Sequence, residues 1–117
     1  MYMPTLKIQS KPVGEFIVYS LQGELIVSTI QVIKQAFLND LNAKKAYFGL
    51  NLSQVTQVDS TGMALLINMK RKADEAGGHF VLFSLSKIAL DHLTQTGLIS
   101  NLVVVKDEDE FRENFIL

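Results

Sequence analysis

A chain of 117 residues, 48% hydrophobic and 20% charged, is long enough for a real core and too apolar to stay disordered. Its formal net charge of -1 gives no general attraction to nucleic acid or to acidic membrane surfaces. The lack of cysteine excludes a disulfide framework, a thiolate metal site and a thiol nucleophile, and an intracellular, cytoplasmic protein is the simplest inference.

Met1-Tyr2-Met3-Pro4 offers no basic region followed by an apolar one, so no signal peptide is expected. No apolar run is long enough to span a bilayer, and membrane insertion is not expected. Without repeats, low-complexity tracts or linkers, residues 1–117 read as one domain.

Thr5 to Ser10 alternates apolar and polar residues as a half-buried strand does. Pro12-Val13-Gly14 signals a turn, and the β-branched and aromatic run Glu15 to Leu21 completes a hairpin. Ser28 is the expected cap of a helix running to about Asn42, with Ile26, Ile30, Ile33, Phe37 and Leu41 on its apolar stripe. Ala46 to Leu52 reads as a strand buried on more than one side. After Gly62 a long helical pattern presents Met63, Leu66, Ile67, Lys70, Ala73 and Ala76, and Gly77-Gly78 stops it. His79 to Phe83 is a strand, Ser86 caps a short helix through Leu93 that stops near Gly97, and Leu102 to Val105 is the last strand. Asp107 caps a final helix, with Glu110 in a capping-box relation and Phe111 and Phe115 on one face. The order is β-β-α-β-α-β-α-β-α. It implies an α/β fold with a mixed, mostly parallel sheet, an N-terminal hairpin and about four helices.

No phosphate-loop, dinucleotide or zinc-helix motif is present, and nothing resembles G-x-S-x-G. His79 and His92 are not at metal-ligand spacing, so neither a metal nor a cofactor is expected. Lys70-Arg71-Lys72 reads as a solvated helix face, and Asp107-Glu108-Asp109-Glu110 as charge complementing a helix N-terminus. That leaves Asp59-Ser60-Thr61-Gly62, which follows a strand and opens a helix at the carboxyl edge of the sheet. Local chemistry admits two roles there. Asp59 or Ser60 caps the helix, contributing about 1 kcal/mol. Alternatively, a phosphoryl group on Ser60 adds about -1.5 to -2 charges beside free helix N–H groups, where the fold tolerates it.

Several stretches taken together resemble the STAS domain family, in particular bacterial anti-sigma factor antagonists. Leu21-Gln22-Gly23-Glu24-Leu25 is similar to the family's L-x-G-E-L. Leu50-Asn51-Leu52-Ser53 with Val58-Asp59-Ser60-Thr61-Gly62 is similar to its L-[ND]-L…[VM]-D-S-[ST]-G. Ala76-Gly77-Gly78, Ser86 and Thr96-Gly97-Leu98 resemble the later helix ends. The resemblance covers nearly the whole chain and implies a STAS-like fold and a switch that is not an enzyme. It implies that the unmodified protein binds an anti-sigma factor serine kinase, that phosphorylation at Ser60 (Thr61 being the lesser choice) ends binding, and that a PP2C-type phosphatase restores it. The partner surface it implies comprises Glu24, Ile26, Val27, Asp59, Ser60, Thr61, Gly62 and Met63. Ser60 is then expected to cap the helix when bare and to carry the signal when phosphorylated. This chain departs from the family at Ile26-Val27, which stand where many antagonists have an acidic residue, and at Met63, where leucine is commoner. The alternative is a constitutive subunit or ligand-binding module of a lipid-transport or sensory complex, without phosphorylation.

Overall fold

Successive side chains of a strand point to opposite faces, and the apolar alternation of this chain supplies two separate cores, one on each side of a single sheet. The computed structural model describes all of residues 1–117. Its elements are β1 (Leu6–Val13), β2 (Phe16–Leu25), α1 (Gln31–Asn42), β3 (Tyr47–Val58), α2 (Ser60–Glu75), β4 (His79–Phe83), α3 (Lys87–Gln95), β5 (Val103–Val105) and α4 (Glu108–Phe115). The strands lie side by side in chain order. The β1–β2 pair is antiparallel and the other three pairs are parallel.

Three crossovers that advance the same way across a sheet lie on one face when all are right-handed. Accordingly Ile33 and Phe37 of α1, Met63, Leu66 and Met69 of α2, and Ala89 and Leu93 of α3 share one core with Tyr19, Leu21, Phe48, Leu50, Phe80 and Leu82 of the sheet. The alternate positions Phe16, Val18, Val81 and Phe83 face the other way and are covered by α4. Phe111 anchors that helix, edge-on to Phe16 with ring centres 5.0 Å apart and stacked on Phe83 at 4.9 Å. In the larger core the Tyr19 phenol donates to Asp40. Its burial, then that hydrogen bond, raise its pKa well above the usual tyrosine value.

The expected element order and hairpin are present; β1 runs on to Val13 and β2 to Leu25, past their expected ends, and other boundaries differ as well. Ser28 does not cap α1: the helix starts at Gln31 with Ile30 before it and no side-chain cap. The hydroxyl that matters is the buried Thr29, which donates to Glu24 O at 2.5 Å and accepts from Ile26 N at 3.1 Å. Those bonds fold residues 26–30 into a loop, so Ile26 precedes the helix instead of lying on its stripe. β3 runs on to Val58, because Val55 and Val58 are buried and keep pairing with β2 through register shifts. α2 starts at Ser60, three residues before Met63 where it was expected, and Ala76 at its far end is exposed. A 3₁₀ turn at Leu98–Asn101, absent from the expectation, follows Gly97.

Candidate functional site

β2 and β3 are parallel neighbours whose last residues, Leu25 and Val58, are paired. The segments that follow them therefore emerge together at the carboxyl edge of the sheet. Asp59 joins them. Its backbone is extended (φ -109, ψ -178) while Ser60 is already helical, which makes Asp59 the N-cap of α2. One carboxylate oxygen, Oδ1, accepts from the Gly62 N–H at 2.8 Å. The other, Oδ2, accepts from the Val27 N–H at 2.9 Å, in the β2–α1 loop. The Asp59 N–H donates to Leu25 O at 3.3 Å. A single side chain thus closes the helix start and holds the neighbouring loop.

Gly62 allows this approach. A β-carbon there would lie 2.2 Å from Leu25 O, a backbone atom that cannot move aside. Gly23 does the same on the other side of the loop: at φ +121 it leaves space for Thr5 O, which would stand 2.3 Å from its β-carbon. The adjoining Glu24 N–H donates to that same carbonyl at 2.9 Å. These contacts are the physical content of the G-E-L and D-S-T-G motifs.

Of the residues the sequence singles out, Val27 is 65% exposed and Ser60 is exposed, whereas Glu24, Ile26, Asp59 and Thr61 are half-buried. The Ser60 hydroxyl makes no hydrogen bond within the chain, so Ser60 is not the helix cap; Asp59 holds that role because its position precedes the first helical residue. Gly62 and Met63 are buried beneath the surface, Met63 at 3% exposure, and they set the shape of the loop from below.

Beside Ser60 an open groove of about 480 Å³ runs between α2 and the segment after α3, lined by Met63, Ala64, Ile67, Arg71 and Leu98. Ala64, Ile67 and Arg71 were not expected at the site, Ile67 reading as core and Arg71 as a solvated face, yet their steps of three and four from Ser60 put them along its line on the helix. A larger concavity of about 650 Å³ lies against Lys7, Gln9, Gln22 and Gln54 and contains none of the α2 residues. Lys70 and Arg71 are paired along α2 with Asp74 and Glu75 at 2.6 and 2.9 Å, as a solvated face would be. No helix is long and apolar enough to cross a membrane, and no group of three or more His, Asp or Glu residues is arranged to hold a metal ion.

A mixed sheet with three helices on one face, and an aspartate-capped helix start joined to the neighbouring loop, defines a small α/β domain. The STAS domain model matches residues 7–111, and the chain belongs to the STAS domain family. No curated protein is matched by the sequence. Among solved structures the chain is similar to a Thermotoga maritima protein (22% identity, TM-score 0.78, covering 91% of this chain and 92% of that one). It is also similar to an anti-sigma factor antagonist from Mycobacterium paratuberculosis (19% identity, TM-score 0.75, covering 85% and 84%). A third is the Bacillus cell fate determinant SpoIIAA in its phosphorylated form (19% identity, TM-score 0.71, covering 92% and 98%). At these identities the likeness shows the fold.

Proposed function

We propose that this protein is an anti-sigma factor antagonist that acts by binding and not by catalysis. Unmodified, it docks on an anti-sigma factor that is itself a serine kinase, through Val27, Ile26, Ser60 and the groove along α2. Phosphorylation at Ser60 ends the complex. In that step the Ser60 oxygen bonds to the γ-phosphorus of ATP, the bond to the β-phosphate oxygen breaks, ADP leaves, and the hydroxyl proton passes to a base of the kinase. A PP2C-type phosphatase hydrolyses the phosphoester and returns the hydroxyl.

The observation that carries this reading is the state of Ser60. It is exposed, its hydroxyl has no partner in the chain, and it opens a helix whose cap is already supplied by Asp59. Such a hydroxyl is free to react without loss to the fold. Thr61 is half-buried and less accessible. The first-turn N–H groups of Ser60 and Thr61 have no carbonyl within the helix and suit phosphate oxygens. A dianion placed beside the half-buried Asp59 changes the charge of the docking face without unfolding the domain.

The test is to incubate the protein with ATP and candidate anti-sigma factor kinases from the same organism, then locate phosphate by mass spectrometry. Phosphate on Ser60 is expected. A chain left unmodified by every cognate kinase, while still forming the complex, would favour a constitutive binding module.

A further inference from the structure

Ser60 and the Ile26–Val27 loop are far apart in sequence and belong to different elements. The only side chain that links them is Asp59, with one oxygen on the first turn of α2 and the other on the Val27 N–H. Val27 itself is 65% exposed. Ile26 is held from inside the loop, its N–H by the Thr29 hydroxyl and its carbonyl by the Thr29 and Ile30 N–H groups, whereas the Val27 N–H is held from outside by Asp59. We infer that Asp59 is a positioning residue that couples Ser60 to the β2–α1 loop, so that a phosphoryl group on Ser60 releases the Val27 N–H.

Two effects act in the same direction. The phosphoryl group brings about -1.5 to -2 charges next to the Asp59 carboxylate, and like charges repel. Its oxygens also compete with Asp59 for the first-turn N–H groups, Gly62 among them. A carboxylate turned away from this turn loses its alignment with Val27. The Val27 N–H, exposed at this edge, then bonds to water. The two parts of the proposed docking face thus change together: Ser60 gains charge, and Val27 loses the bond that fixes it. The coupling rests on the phosphorylation reading only for its trigger. The Asp59 link itself can be tested with no kinase present.

Amide exchange measured by NMR on the full ¹⁵N-labelled chain reads this directly. Asp59→Asn keeps an oxygen for Gly62, since asparagine caps helices as well as aspartate does, but gives Val27 no second acceptor. Asp59→Ser likewise reaches Gly62 and is too short for Val27. In both, Val27 exchange is expected to rise about tenfold while Leu66 and Met69 in the α2 core stay within about twofold. The chain with a phosphoryl group installed on Ser60 during synthesis is expected to show the same local rise. Unchanged Val27 exchange in both Asp59 variants would overturn the link, and so would uniform acceleration across the domain, which would make Asp59 a general brace. A rise in the variants but not in the phosphorylated chain would overturn the coupling to Ser60. Failure of kinases to modify Ser60 would leave these exchange results untouched, which separates the two proposals.

Discussion

The starts of α2 and α4 use the same local device and differ in what surrounds it. Each is capped by an aspartate in extended conformation that accepts from the N–H three residues on: Asp59 from Gly62 at 2.8 Å and Asp107 from Glu110 at 2.9 Å. In α4 the first turn already holds Glu108, Asp109 and Glu110, so negative charge complements the helix dipole without any modification. The helix is anchored by the buried Phe111 against the far face of the sheet. In α2 the first turn has no acidic residue, Ser60 is exposed, and the second oxygen of Asp59 reaches a different loop. One helix start is structural and complete. The other is open to added charge and is tied to its neighbour, and the difference lies in the topology: β2 and β3 end side by side, so a cap on one reaches the loop of the other.

The largest expected effect separates the two starts at the same helix position. Gly62→Ala forces a β-carbon to within 2.2 Å of a backbone carbonyl and should cost about 3 kcal/mol or more in urea denaturation. Glu110→Ala, at the matching place in α4, should cost less than about 0.5 kcal/mol. Equal costs would mean that α2 does not approach β2 as closely as described. Next come the caps themselves. Asp59→Ala should cost about 2 kcal/mol, because it removes the cap and the Val27 bond together, against about 1 kcal/mol for Asp107→Ala. Matching values would strip the interloop bond of any energetic weight. The smallest effect concerns Ser60→Ala, expected to change thermal stability by less than about 0.5 kcal/mol, since the hydroxyl bonds nothing in the chain. A larger loss would show that Ser60 serves the fold.

Much of this was legible in the chain because local chemistry decided it. The Ser86 and Asp107 caps are in place, each accepting from the N–H three residues on, and the stop at Gly77 follows from its positive φ. The misjudged positions are those where several oxygens competed and tertiary contacts chose. Ser28, Thr29, Asp59 and Ser60 can all cap a helix by type. Thr29 was drawn into the loop by Glu24 O, and Asp59 prevailed over Ser60 because Leu25 O and the Val27 N–H fix it just outside the helix. The polar residues Ser53, Gln54, Thr56 and Gln57 hid the last part of β3, whose buried positions are spaced by register shifts instead of strict alternation. The family resemblance located the important stretch. It did not show that Asp59 spans two loops, since that contact joins residues 32 apart in sequence.

The central claim is that the bare Ser60 hydroxyl permits docking and the phosphoryl group forbids it. Titration calorimetry of the cognate anti-sigma kinase, with the unmodified chain and with the chain phosphorylated on Ser60, tests this most directly. The account predicts a loss of affinity of about 100-fold or more, as expected when a charged group is set against a docked surface. Equal affinity for the two forms would contradict it.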